Sequence, residues 1–152
     1  MNESLKLENQ LCFPLYACAK EIVRRYTPLL EPLGLTYTQY IVMMVMWEHK
    51  SISVRDMGKL LFLDSGTLTP MLKKMERAGW ISRKRSVEDE RMMVISITER
   101  GEMLHDKAED IPVRLAGCLT MEKEDVLQLY TLLHKMMKNF GRSTISASTD
   151  SR

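Results

Sequence analysis

The chain has 152 residues, 45% of them hydrophobic, and a formal net charge of +2, which suits one globular domain or a domain with an oligomerisation element. Its longest nearly uncharged apolar run, Ile41 to Trp47, is far shorter than the roughly 20 residues of a membrane-spanning helix. Because no signal-peptide pattern opens the chain, we expect a cytoplasmic protein with no membrane partner.

The first part of the chain is predicted to hold two helices separated by helix-breaking residues. Residues 1–5 are predicted as a loose end, and apolar residues at helical spacing then indicate a first helix from about Glu8 to about Tyr26. One face of this helix collects Cys12, Leu15, Ala19, Ile22, Val23 and Tyr26. The pattern is broken by Pro28, Pro32 and Gly34. Thr36 and Gln39 have the spacing of a capping box, which predicts the start of the second helix.

A second cap pair, Ser53 with Asp56, predicts a short helix over about Val54 to Leu61. After a tight turn, the stretch from Asp64 to Gly79 carries a narrow apolar stripe at helical spacing, formed by Leu68, Met71, Leu72 and Met75. The other face has hydroxyls first and cations further along, namely Ser65, Thr67, Thr69, Lys73, Lys74 and Arg77. Such groups contact base edges and phosphates, so we interpret the stretch as a DNA-recognition helix, with an ordinary amphipathic surface helix as the alternative.

Two strands are predicted directly after this helix. Trp80 to Arg85 and Arg91 to Thr98 have strand patterns, and the polar residues 86–90 fit the tip of a hairpin between them. A helix-turn-helix followed by such a hairpin, the wing, is a winged helix, in which the second helix enters the major groove and the wing can lay an arginine in the minor groove. From Lys73 to Arg91 there are seven basic and four acidic residues, which also points to nucleic acid.

The C-terminal part is predicted as helical. Thr98 is placed to cap a helical region reaching about Ala116, and Thr120 to cap a last helix ending near Phe140. The last helix has a long apolar stripe of Val126, Leu129, Tyr130, Leu133, Met136, Met137 and Phe140. With the first helix it most simply builds a dimer interface, and an intramolecular helical subdomain remains the alternative. The Ser- and Thr-rich residues 141–152 are predicted as a disordered tail.

These elements together predict a mainly α fold with a small β wing (α+β). Residues 35–99 are expected to form a winged helix-turn-helix DNA-binding region, and residues 6–34 and 100–140 a helical dimerisation region. The three cysteines lack Cys-x-x-Cys spacing and the three histidines are scattered singly, which argues against a zinc site or a disulfide scaffold. The 13 methionines lie mostly in helical segments and are read as flexible core packing. We expect no metal and no cofactor.

Three runs of the chain resemble the MarR family of winged-helix repressors: Leu63 to Glu76, Arg83 to Arg91 and Ile97 to Gly101. The run Leu7 to Phe13, with Tyr26 and Leu35 to Tyr40, is similar to the organic-hydroperoxide-sensing, OhrR-like branch. The resemblance covers roughly residues 6–140. It implies a homodimeric repressor, not an enzyme, that releases a palindromic DNA operator when one cysteine is oxidised by an organic hydroperoxide.

The resemblance also implies roles for single residues. Cys12 holds the position of the sensing thiol, and Tyr26 and Tyr37 match tyrosines whose hydroxyls bond to its thiolate. In the wing, Asp89 matches a supporting acid and Arg91 the minor-groove arginine. The wing residues expected at the DNA are Arg83, Arg85, Asp89 and Arg91.

The start of the recognition helix is predicted differently by propensity and by the family pattern. Pro70 follows Thr69 as a proline in the first helical position follows its cap, so propensity starts the helix at Thr69. The family pattern starts it near Ser65, which places Pro70 inside the first two turns at the cost of a backbone hydrogen bond. We follow the family pattern and expect a local bend.

Cys12 allows two physical interpretations. A lone cysteine on an apolar helix face is usually an inert core residue. A position near a helix start, with hydroxyl donors nearby, instead favours the thiolate, which attacks peroxide and becomes a sulfenic acid. Tyr26 lies 14 residues further on, about 21 Å away along a straight helix. A contact between this tyrosine and the thiol therefore needs the partner protomer, so the dimer would be part of the sensor.

Cys118 lies in a predicted hinge between the last two helices, where some relatives place a resolving cysteine. We predict that oxidised Cys12 condenses with the partner subunit's Cys118. A spectator role for Cys118, with a low-molecular-weight thiol as the partner, remains the alternative. Cys18 is a poor partner, because it is offset from Cys12 by about 120° around the helix and ~9 Å along it.

Two other function classes stay open at this stage. One is a MarR-type repressor controlled by a small phenolic or lipophilic ligand between its domains, with Cys12 incidental. The other is a thiol-dependent peroxidase, for which the chain supplies none of the usual catalytic partners.

Overall fold

The structure, a computed structural model, describes the backbone of residues 2–147 and the side chains of residues 2–140. In chain order its helices and strands are α1 (Cys12–Leu30), α2 (Tyr37–His49), β1 (Ser51–Ser53), α3 (Val54–Leu61), α4 (Ser65–Arg77), β2 (Ile81–Arg85), β3 (Met93–Ile97), α5 (Glu99–Ala108), α6 (Ile111–Ala116) and α7 (Lys123–Ala147). The chain divides into two compact units, residues 1–116 and residues 117–152. The predicted α+β class with a small wing is confirmed.

The core of the first unit is built around α2. The Thr36 hydroxyl accepts from the Gln39 N–H at 3.3 Å while the Gln39 side chain accepts from the Thr36 N–H at 2.9 Å, so the predicted capping box is confirmed. Helix α2 buries Tyr40, Val42, Met43, Val45 and Met46. It packs against the buried members of α3, α4 and the sheet, which are Met57, Leu68, Leu72, Met75, Ile81 and Ile95.

The predicted bounds of the first helix are corrected at both ends. Helix α1 begins at Cys12 rather than Glu8 and continues to Leu30, past the predicted end at Tyr26. Short 3-10 turns at Glu3–Leu5 and Leu7–Asn9 occupy the segment before it. Periodicity cannot locate these ends, because a 3-10 turn repeats at nearly helical spacing. Pro28 does not stop the helix, since a proline near the C-terminal end removes only one backbone hydrogen bond.

The helix-turn-helix follows the family pattern. The Ser53 hydroxyl caps α3 by accepting from the Asp56 N–H at 3.0 Å, as predicted. Helix α4 begins at Ser65, and the Asp64 carboxylate accepts from the Thr67 N–H at 2.7 Å. A carboxylate cap placed before Ser65 satisfies the free N–H groups of the first turn. The propensity-based start at Thr69 is therefore wrong, and Pro70 lies inside the helix.

The wing belongs to a three-stranded antiparallel sheet of order β1-β3-β2. Ile81 is paired with Ile97, and Arg85 with Met93, so the two wing strands are slightly shorter than predicted. Strand β1 was not predicted, because its three residues, Ser51–Ser53, are too few to show an alternating pattern. It fixes the base of the wing to the end of α2.

The C-terminal elements differ from the prediction in three places. Thr98 caps α5 as expected, but the helical region is interrupted after Ala108 and resumes as α6. Helix α7 begins at Lys123, so Thr120 does not cap it, and it continues through residues 141–147, which were predicted as tail. A helix that is already formed extends at low cost, because no new nucleus is needed. The rest of the predicted tail, residues 148–152, lies outside the described residues.

Among the helices of the described chain, none combines the length and the apolar composition that crossing a membrane requires.

Candidate functional sites

A cleft of about 730 Å³ lies between α4 and the wing. Helix α4 contributes Ser65 and Thr69 to its lining, and the wing contributes Arg83, Asp89 and Arg91. Residues that are far apart in the sequence, and that were predicted separately as DNA contacts, are therefore brought to one concave surface. Hydroxyls and cations on one surface suit the phosphates and base edges of a duplex.

The remaining predicted DNA contacts lie outside this lining. Thr67, Lys73, Lys74 and Arg77 are exposed on α4. Arg85 is exposed at the end of β2, where its guanidinium donates to the Glu90 carbonyl at 2.8 Å. Arg55 also lines the cleft, from the first turn of α3, and sequence reasoning missed it because α3 was judged only by its core positions.

The tip of the wing is organised by Asp89. Its carboxylate accepts from the backbone N–H of Arg91 at 3.0 Å, and its carbonyl accepts from the Met92 N–H at 2.9 Å. The Ser86 hydroxyl accepts from the Glu88 N–H at 3.2 Å. The acid that the family pattern places here therefore shapes the turn through the backbone of Arg91 and leaves the arginine side chain exposed.

Arg83 is held by Glu76, a residue that sequence reasoning did not select. One carboxylate oxygen of Glu76 accepts from the backbone N–H of Arg83 and the other from its Nε, both at 3.0 Å. Only 19% of the Arg83 side chain is exposed. This pair joins the last turns of α4 to β2, and so it fixes the angle between the recognition helix and the wing. The side-chain hydrogen bond from Arg83 lowers the pKa of Glu76 and outweighs the opposing effect of partial burial.

Glu76→Gln should lower the thermal stability at neutral pH and have little effect in acid. Because the pKa of Glu76 is lowered from its ordinary value of 4.5, its stabilising contribution is present above that pH and is lost as the pH falls through the folded-state pKa. The measurement is the difference in Tm between wild type and variant across pH 7 to 3. Glu88→Gln, an exposed glutamate at the wing tip, is the control. A difference that stays constant with pH would contradict the assignment.

Cys12 is the first residue of α1, and its side chain is exposed. The described chain therefore does not bury this cysteine in its own core. Solvent exposure gives an oxidant access to the sulfur. Cys18 is also exposed, but it lies inside the helix rather than in the first turn.

Tyr26 and Tyr37 form a cluster with Tyr40 at the other end of α1. The ring centroids of Tyr26 and Tyr37 are 4.9 Å apart, and those of Tyr26 and Tyr40 are 5.7 Å apart. Burial raises the pKa of Tyr26 and of Tyr37, so both hydroxyls stay protonated near neutral pH and can donate to a thiolate. Cys12 and Tyr26 lie on one continuous helix, 14 residues apart, about 21 Å along its axis. Within one chain they do not meet.

Helix α7, described by itself, has many exposed apolar side chains. They are Val126, Leu127, Leu129, Tyr130, Leu132, Met137 and Phe140. Two other residues of the predicted stripe, Leu133 and Met136, are half-buried. Cys118 is exposed in the segment before this helix. An apolar helix surface of this extent is typical of a helix that packs against another element.

A family model described as Transcriptional regulator SarA/Rot matches residues 24–108 of the chain. The organic hydroperoxide resistance transcriptional regulator of Bacillus subtilis strain 168 is 50% identical to it over 136 residues, which cover 90% of this chain and 92% of that protein.

Two solved structures of AbfR, a protein of Staphylococcus epidermidis, are similar to this chain. Reduced AbfR bound to DNA has a TM-score of 0.75 at 31% identity and covers 91% of this chain and 96% of that one. The disulfide form of AbfR has a TM-score of 0.63 at 33% identity and covers 91% of this chain and 94% of that one.

Proposed function

Because the chain belongs to the MarR/SarA-type family of winged-helix transcriptional regulators, and to its organic hydroperoxide branch, we propose that it is a homodimeric repressor whose operator is released when Cys12 is oxidised by an organic hydroperoxide. The chain is a redox-responsive transcriptional regulator and not an enzyme. The observation that carries the finer proposal is the exposed Cys12 thiol in the first turn of α1.

The DNA-binding part of the proposal rests on the cleft between α4 and the wing. Helix α4 would present its hydroxyls and cations to the major groove, and Arg91, which lines the cleft from the wing, would enter the minor groove. In a two-fold dimer, two copies of α4 would lie about one DNA turn apart, which suits a palindromic operator. Reduced AbfR, similar over most of the chain, is bound to DNA.

The sensing part of the proposal needs two protomers. The exposed apolar side chains of α7 supply a surface for a second copy. In the dimer, the Cys12 thiolate of one chain would accept hydrogen bonds from the partner subunit's Tyr26 and the partner subunit's Tyr37. The thiolate attacks the terminal peroxide oxygen and the O–O bond breaks, so that the sulfur keeps this OH group as a sulfenic acid. The departing alkoxide takes a proton from water and leaves as the alcohol. That oxidation removes the anion to which the tyrosines donate.

Gel shifts combined with intact mass spectrometry test the proposal. The reduced protein should bind operator DNA as a dimer with strong salt dependence. After cumene hydroperoxide treatment the mass should show an oxidised Cys12, or an adduct with a low-molecular-weight thiol, and the shifted band should disappear. Oxidation of Cys12 without loss of DNA binding would contradict the proposal.

We propose that Cys118 resolves the sulfenic acid. Its thiol would attack the oxidised sulfur of Cys12 in the other chain, and water would leave as the S–S bond forms. Non-reducing electrophoresis of the wild type after cumene hydroperoxide should then show a covalent dimer, which Cys118→Ser abolishes and Cys18→Ser retains. A wild type that remains a monomer on the gel, with a small-thiol adduct in the mass spectrum, would assign the resolving role to that thiol.

Arg91→Ala should weaken operator binding by about tenfold at fixed salt. The exposed guanidinium lines the cleft from the wing tip, and loss of a specific arginine contact to DNA costs about 1–3 kcal/mol. The effect should be largest on operators with a narrow minor groove at the wing position. Arg24→Ala removes an equal charge from α1, outside the cleft, and is the control. Equal affinities for wild type and Arg91→Ala in a titration would argue against a wing contact.

One observation supports the alternative in which a ligand controls the repressor. A second cleft, of about 480 Å³, is lined by Tyr40, Met44, Trp47 and His105, with the carboxylates of Glu48 and Glu109 also in its lining. Such a lining suits a small phenolic or lipophilic molecule. A Cys12→Ser variant that still releases DNA on peroxide treatment would favour this second function.

A further inference from the structure

A continuous series of contacts leads from the tyrosine cluster to the far end of α2. Tyr26 and Tyr37 are in ring contact, and Tyr26 is also in contact with Tyr40, which is 2% exposed. The Tyr40 ring in turn meets Trp47 edge-on, at a centroid distance of 6.2 Å. These rings are in direct contact, so a shift of one ring changes the packing of the next.

Trp47 connects α2 to the first turn of α5. Its indole Nε1–H donates to the carbonyl of Gly101 at 3.0 Å, and its ring packs edge-on against His105, with centroids 5.5 Å apart. A partly buried indole N–H usually has such an acceptor, and leaving it without one would cost free energy. This bond joins residues 54 positions apart in the sequence.

Gly101 then lies directly against the base of the wing. A Cβ at this position would be 2.1 Å from the carbonyl oxygen of Trp80, the residue before β2. Thr98, the cap of α5, makes two hydrogen bonds to the same segment. Its N–H donates to the Trp80 carbonyl at 3.1 Å, and its hydroxyl donates to the Gly79 carbonyl at 2.6 Å. The first turn of α5 is therefore joined directly to the residues that precede β2.

We propose that Trp47 is a positioning residue that couples the tyrosine cluster to the wing, by holding Gly101 and through it the base of β2. The proposal rests on the proposed function, because the signal it carries is the change at Tyr26 and Tyr37 when the thiolate they face is oxidised. Loss of that anion lets the tyrosine rings repack, and the movement reaches the wing through Tyr40, Trp47 and Gly101. Coupling is a difference in free energy between two states, so the test measures operator affinity in both redox states.

The test compares operator Kd before and after cumene hydroperoxide, at fixed salt, in wild type and Trp47→Phe. Phenylalanine keeps an aromatic ring beside Tyr40 and removes the N–H donor. We expect the ratio of oxidised to reduced Kd to fall about tenfold, which corresponds to the loss of one hydrogen bond from the coupling, while Cys12 oxidises at the wild-type rate. A purely structural role would lower Tm and leave this ratio unchanged.

Ser51→Ala is the matched control. It removes the side-chain hydrogen bond of 3.0 Å between Ser51 in β1 and Ser96 in β3. This bond lies in the sheet that contains the wing but outside the series of contacts through Trp47, so the ratio of oxidised to reduced Kd should stay at the wild-type value. A second measurement needs no variant. On oxidation of the wild type, amide hydrogen exchange should increase in the first turn of α5 and in residues 79–81.

The outcomes separate the two proposals. If the oxidised wild type keeps its DNA, the proposed function fails, and with it any signal for Trp47 to carry. If the wild type releases DNA but Trp47→Phe has an unchanged ratio, only the coupling role is overturned. Unchanged hydrogen exchange in α5 and residues 79–81, in a protein that has released its operator, would overturn it as well.

Discussion

A Cys12→Ser variant should bind operator DNA as tightly as the wild type and should no longer release it after organic hydroperoxide treatment. Sulfur acts as a nucleophile here through its thiolate, and a serine hydroxyl is not ionised at neutral pH, so it does not attack the peroxide. Because Cys12 is exposed at the start of α1, exchange of sulfur for oxygen should cost little stability. The peroxide-induced change in Kd should collapse to about onefold in gel shifts at fixed salt.

Cys18→Ser is the matched control for this experiment. It makes the same chemical change at another exposed cysteine of the same helix, and it should retain full release. Loss of release in both variants would point to general damage of α1. Release that persists in Cys12→Ser would move the sensor away from this thiol and towards the cleft beside Trp47.

The elements predicted well are those whose signals lie within a few residues. Thr36 with Gln39, Ser53 with Asp56, and Thr98 before α5 each cap a helix at the predicted position, because a cap is a contact between residues two or three positions apart. The stripe of α4 is also local. Its start required the family pattern, since Pro70 alone favours the wrong boundary.

The features that were missed depend on contacts between distant segments. Strand β1 exists because β3 offers it a pairing edge. The Glu76 carboxylate is significant only because the chain turns and brings Arg83 back to it. The donor of Trp47 finds its acceptor 54 residues away. Single-residue patterns do not encode such pairings, whereas the separation of Cys12 from Tyr26 followed directly from helix geometry.

Gly101→Ala should be the most damaging single-methyl change in the α5 turn. The added Cβ would lie 2.1 Å from the Trp80 carbonyl oxygen and 2.8 Å from the Ile97 side chain. The first of these is backbone, so no rotamer change relieves the clash, and α5 must move away from the base of the wing. We expect a loss of about 1–3 kcal/mol in the free energy of unfolding, as for other overpacked cores, with weaker operator binding in the reduced state. Thermal or urea unfolding and a gel shift measure the two effects.

Gly66→Ala distinguishes this clash from a general effect of adding a methyl group to a helix. Gly66 lies in α4, and a Cβ there would meet only the Asp64 carboxylate, at 3.2 Å. Because this carboxylate also caps α4 through the Thr67 N–H, moving it offsets the gain of about 1 kcal/mol in helix propensity. This variant should therefore be nearly as stable as the wild type. Equal stabilities of Gly101→Ala and wild type would mean that the turn of α5 has room to adjust. The wing base would then not be held at Gly101, and the coupling role of Trp47 would lose its last step.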